Sequence, residues 1–202
     1  MLAVMAFSQS CAQAQDIALP APNITGGMPL MEALKNRKSD REFSSREIPL
    51  QVLSDVLWSA VGINRAEGNM RTYASASNRQ DVDVYLAMEK GFYKYDPTDN
   101  KLMLVVAEDL RLGTGNQPFV TDSPVTLVYV GDFTKWDGIR EGSVNGVNVS
   151  VGAVSQSVYL YCASAGLNAV VRGSRGDLFE KAGLNPETQM IMLAHTIGYP
   201  KE

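Results

Sequence analysis

The sequence predicts a mixed α+β sandwich: helices packed against a sheet that contains antiparallel pairs. Three observations lead there. Residues 81–89, DVDVYLAME, alternate apolar and polar side chains with the two-residue period of a strand, and GFYKYDPTDNKLMLV, which follows at 91–105, reads as a hairpin. The run PVTLVYVGD at 124–132 is nearly continuous in apolar residues, as expected at a sheet centre. Between and around these strands, apolar residues recur at helical spacing, and the two kinds of segment alternate unevenly. With 45% hydrophobic and 20% charged residues over 202 positions, the chain can bury one substantial core, so a single domain is expected.

Taken in order, the chain opens with MLAVMAFSQSCAQAQ, an apolar run followed by small polar residues and the A-x-A triplet Ala12-Gln13-Ala14. Residues 1–14 read as a signal peptide cut before Gln15, which implies an exported, periplasmic protein. No Lys or Arg precedes Lys35, so the usual basic start of such a signal is missing, and a simple polar tail is the other reading. Residues 15–29, rich in Pro, Gly and Asn, form an extended arm over the surface or a linker. The domain proper is expected over 30–202.

Pro29 opens a helix to about Arg37 with Leu30, Met31 and Leu34 as its apolar stripe. A second helix runs from Pro49 to Val61, stopped by Gly62. After the strands named above, a long helix is expected over 147–165 with Val147, Val151, Val154, Val158 and Cys162 on one face and Gly166 at its end. Its small residues, Gly152, Ala153, Ser155 and Ser157 among them, leave room for another helix to approach. A strand over Leu167 to Val171, a short helix at 177–182 and a strand over Met190 to Ile197 complete the domain.

Charge and composition exclude several functions. A net charge of -4 argues against a nucleic-acid or anionic-membrane partner, and no apolar run is long enough to span a bilayer. A processed chain keeps only Cys162, and His195 is the single histidine, so a disulfide framework, a zinc site and a Ser/His/Asp triad are all unexpected. His195 sits in the apolar MIMLAHTIGY run and reads as a satisfied core residue, while Tyr159, Tyr161 and Cys162 read as packing. Asp81 and Asp83 fall on the polar face of their strand and carry no catalytic assignment.

Against this background NRKSDREF, at 36–43, stands out. Arg37, Lys38 and Arg41 offer two bidentate forks and a point charge, and Ser39 adds a hydroxyl, a set that suits a phosphate monoester. A solvated helix end stabilised by its own dipole is the alternative.

RKSDREF resembles the R-R-S-x-R-x-F phosphate-binding stretch of the nitroreductase family. ASASNRQ at 74–80 is similar to the family's P-S-A-x-N-x-Q segment, VVRG at 170–173 to its flavin-facing loop, and LAHTIGYPK at 193–201 to its closing strand and turn. The order holds across about 30–201, and GGMPLMEAL with VYLYCAS resembles the compact branch of SagB-type dehydrogenases and thiazoline or oxazoline oxidases. The resemblance implies a nitroreductase-like α+β sandwich with a mainly antiparallel sheet flanked by helices, homodimeric, with FMN at the subunit interface. It would place Arg37, Lys38, Ser39 and Arg41 on the phosphate and ribityl end, with Lys201 as a further phosphate candidate. Ser75, Ser77, Asn78 and Gln80 would reach over from the second subunit, and the Arg172-Gly173 backbone would face the flavin N5 and O4 edge. Lys38 stands where arginine is commoner, and Ala74 where proline is, which softens the phosphate grip and frees the loop.

The implied activity is an FMN-dependent two-electron transfer through flavin N5 to a small organic acceptor such as a nitroaromatic or quinone, with no catalytic residue beyond the flavin. NAD(P)H is the donor if the protein stays in the cytoplasm; export makes that donor doubtful. The alternatives are a non-catalytic flavin-fold binding module outside the cell, and a dehydrogenase or oxidase of a peptide-derived heterocycle.

Overall fold

The computed structural model describes residues 14–175 and 177–201. The expected signal peptide lies outside the described residues, apart from Ala14. The helices are Leu30–Asn36 (α1), Leu50–Val61 (α2), Glu141–Ala165 (α3) and Asp177–Lys181 (α4). The strands are Ile17–Ala18 (β1), Ile63–Arg65 (β2), Met70–Arg71 (β3), Val82–Met88 (β4), Gly91–Asp96 (β5), Lys101–Val106 (β6), Val125–Asp132 (β7), Asn168–Arg172 (β8) and Gln189–Gly198 (β9). Seven of them form one sheet in the order β1-β6-β5-β4-β7-β9-β8, each pairing antiparallel. β2 and β3 form a separate short ladder.

The sheet is covered on both faces. On one, α2 and α3 lay Leu53, Val56, Leu57, Val147, Val151, Val154 and Val158 over Val84, Leu86, Leu127 and Tyr129, all buried. On the other, Tyr85, Ala87, Phe92, Val128 and Val130 pack under Leu110, Leu178 and Leu184. The alternation in 81–89 foretold one wet face, but β4 lies mid-sheet between β5 and β7, and five of its seven residues are buried, with Asp83 and Met88 partly so. Asp81 is a consequence: it is fully buried, its carboxylate accepting from Trp136 Nε1 at 2.9 Å. Asp83 pairs with Lys94 at 2.7 Å.

Two further differences have local causes. α3 starts six positions before the apolar spacing begins, because Arg140 N–H donates to Ser143 Oγ at 2.9 Å and caps the first turn. Gly146 lies within that early stretch because Trp136 occupies the space: a Cβ there would lie 2.4 Å from the indole. On α1 the expected stripe faces outward: Leu30 is 63% exposed, Met31 76% and Leu34 43%, and Ala33 alone of the helix is buried. The arm 15–29 is pinned: β1 extends the sheet beside β6, Ser54 Oγ donates to Pro20 O at 2.6 Å, and Met28 N–H donates to Ser164 Oγ at 2.7 Å.

Candidate active site

The cations of the NRKSDREF stretch sit where α1 ends and the chain runs along β8, the outer strand of the sheet. Asp40 N–H donates to Ala169 O at 2.9 Å, Asn168 Nδ2 donates to Glu42 O at 2.7 Å, and Phe43 bridges to Pro200. The stretch is therefore anchored by its backbone and leaves its long side chains outward. Arg41 is exposed and enters no ion pair or side-chain hydrogen bond among the described residues. Lys38 pairs with Asp40 at 2.8 Å, which raises the lysine and lowers the carboxyl through their mutual hydrogen bond, and so half-neutralises the turn. Lys201 is exposed and directly follows Pro200, so the Phe43 bridge brings it beside the cations.

Tyr159 packs against the core, as the sequence suggested, and its hydroxyl makes contacts that the sequence did not show. The Tyr159 hydroxyl lies 2.9 Å from Ser39 Oγ and accepts from Val171 N–H at 2.8 Å, and its ring lies 5.2 Å beneath the Arg37 guanidinium carbon. Its helical position was visible in the sequence; its partners, 120 and 12 residues away, were not.

Beneath this surface His195 is fully buried, as expected of a core histidine, with Nδ1 2.8 Å from Tyr129 Oη. Its Nε2 has no partner among the described residues, so the satisfied state expected of it is only half met there. Burial, with the Arg172 charge nearby, pushes the imidazole down to about 3, so it is neutral at ordinary pH. Arg172 turns its guanidinium inward to Thr114 O, to Thr114 Oγ1 at 2.8 Å and to Thr196 Oγ1 at 3.0 Å. Gly115 permits this, because a Cβ there would lie 2.3 Å from Arg172 Nη1. Burial lowers the guanidinium to about 10, leaving it charged at neutral pH. Arg172 Nη1 also donates to Gly173 O at 3.4 Å; Gly173 is exposed, and a Cβ on it would meet nothing within 4 Å.

Ser75, Ser77, Asn78 and Gln80 lie elsewhere. Gln80 N–H donates to Ser75 Oγ at 2.9 Å, Gln80 Oε1 accepts from Arg71 Nε at 3.0 Å, and Gln80 Nε2 donates to Asn69 O at 3.0 Å. Ser77, Asn78 and Gln80 all adopt φ near +50°, a left-handed conformation that holds the loop in a tight knot. This loop enters β4 at Val82, opposite Gly131 near the end of β7, whereas Ala169 and Ile197 lie level with Val125 at its start. Six residues of strand separate the two groups, about 20 Å. One chain does not bring them together.

Comparison with known proteins agrees with this architecture. A crystal structure of a Ralstonia eutropha JMP134 protein described as a nitroreductase superposes with a TM-score of 0.88 at 41% identity, over 95% of this chain and 92% of that one. A Methanocaldococcus jannaschii protein named as a nitroreductase is 28% identical over 156 residues, covering 72% of this chain and 78% of its own. A Desulfovibrio desulfuricans nitroreductase solved in complex with FMN shares the fold at 17% identity and a TM-score of 0.63, over 88% of this chain and 89% of that one. The model of the nitroreductase family matches residues 34–199, from the end of α1 through β9, and the chain belongs to that family.

Proposed function

We propose that this protein is an FMN-dependent oxidoreductase that passes two electrons to a small organic acceptor, such as a nitroaromatic or quinone. The observation that carries the reading is the outer edge of β8. An edge strand presents every second residue's N–H and C=O outward. Ala169 O is used by Asp40 and Val171 N–H by Tyr159. Gly173, just past the end of β8, is the next position outward; nothing lies within 4 Å of where its side chain would stand, and Arg172 Nη1 reaches its carbonyl at 3.4 Å, on the oxygen and not the N–H. A backbone donor with no side chain in front of it fits the edge of a flat ring, and the cations a few residues away fit its phosphate tail.

When bound, FMN supplies the redox chemistry. The chain's part is to hold and orient it. Arg37, Arg41 and Lys201 supply the attraction, Ser39 a hydroxyl, and Lys38 less than its charge implies because Asp40 shares it. Ser75, Ser77, Asn78 and Gln80 complete the site from a second copy of the chain, which is how groups about 20 Å apart in one subunit meet one cofactor. His195, neutral and buried, neither donates nor stores a proton for the acceptor. If the protein is exported, a small organic donor or an electron-transfer partner takes the place of NAD(P)H. A donor screen that includes NADPH distinguishes these.

An absorbance scan before and after adding FMN and desalting tests the reading. Retained flavin bands are expected. A colourless protein would favour a binding module built on the same fold.

A further inference from the structure

We infer that Tyr159 is a positioning residue whose hydroxyl aims Ser39 at the flavin phosphate and ties the cation turn to the strand facing the ring. The inference rests on the FMN reading above. The Tyr159 oxygen accepts from Val171 N–H at 2.8 Å, so the hydroxyl hydrogen is free to point to Ser39 Oγ, 2.9 Å away. Ser39 is exposed, and its own hydrogen is then left for an outside acceptor. Hydrogen bonds in series strengthen one another, and an anion at the end of the series gains most. The same tyrosine fixes Arg37, whose guanidinium carbon lies 5.2 Å from the ring centroid. The ring itself rests on His195, with centroids 4.5 Å apart, which limits how far it can tip.

Two functions of the side chain can be separated. Tyr159→Phe removes the hydroxyl and keeps the ring under Arg37; Tyr159→Leu removes both. The experiment is titration of full-length protein with FMN and, separately, with riboflavin, which lacks the phosphate, following quenching of flavin fluorescence. Tyr159→Phe should weaken FMN about fivefold, the value of the neutral hydrogen bond that aims Ser39, and leave riboflavin unchanged. Tyr159→Leu should weaken FMN further. Ser39→Ala should match Tyr159→Phe, and the double variant should lose little more, since both changes break one chain. Equal weakening of FMN and riboflavin would make Tyr159 a packing residue and overturn the proposal, as would unchanged FMN affinity in Tyr159→Phe. Wild-type protein that binds neither flavin would overturn the FMN reading itself and this proposal with it.

Discussion

His195 makes stability depend on pH in a predictable direction. In the unfolded chain its imidazole titrates near 6.5, and in the fold burial holds it down to about 3. Between these values the unfolded state binds a proton that the folded state refuses, so stability is full above 6.5 and falls as pH drops toward 3. The slope is about 1.4 kcal/mol per pH unit. Urea midpoints of wild type and His195→Asn, compared from pH 7.5 to 4.5, should show this limb flattened in the variant; parallel curves would mean that the histidine charges without cost. Cys162 gives a simpler check. Burial pushes its thiol up to about 12, so Cys162 in the native protein should resist a thiol reagent at pH 8, as read by mass of its tryptic peptide, and react once unfolded. Arg41→Ala should lower FMN retention more than activity at saturating FMN, because the side chain is placed for the tail of the cofactor and not its ring. Equal loss in both, unrescued by excess FMN, would contradict that placement. The cations were legible in the sequence because charge in an otherwise thinly charged chain needs no fold to be seen. Tyr159 was not: it carries no local signal, and its role depends on Ser39 and Val171 arriving beside it.

The arm before α1 behaves as part of the domain. Asp55 of α2 is 7% exposed, and its carboxylate accepts from Asn23 N–H at 2.7 Å, Gln51 Nε2 at 3.0 Å and Tyr161 Oη at 3.2 Å. Asn100 supports the same strap from the β5–β6 turn, donating to Pro20 O at 2.7 Å. Asp55→Ala strands those donors and should destabilise the protein by about 2 kcal/mol while exposing 18–29 to limited proteolysis. Unchanged cleavage would show that the arm is held by β1 alone. The sequence showed this arm only as a stretch rich in Pro and Gly, since its anchors come from three distant elements. The main strands and α2 were readable to within about a residue or two, because period and turn chemistry are local. The short β2–β3 ladder and the first turns of α3 were missed for the opposite reason. They are set by Arg71, Trp136 and Ser143 contacts and not by any run of apolar residues.

Two features of the single chain bear on the proposed dimer: an exposed apolar face on α1, and candidate flavin-binding residues that fall into two separate groups. Leu30, Met31 and Leu34 project from α1, the helix that ends at Arg37, so the exposed apolar face adjoins the cations. Covering each such side chain stabilises association by about 2 kcal/mol, and a two-fold interface counts every residue twice. The chain's own 75–80 loop lies about 20 Å from the cations along β7, so the proposed function requires a second copy to supply that loop, and α1 is the surface proposed to meet it. Dimerisation and FMN retention should therefore fail together. Sedimentation should show wild type as a dimer, and Met31→Asp with Leu34→Asp should shift it to monomer, keep its circular dichroism and lose FMN on desalting. Both positions are exposed in the single chain, so the fold itself should tolerate the charges. A monomer that retained FMN as tightly as wild type would assign the whole site to one chain and leave the apolar face of α1 without a part in it.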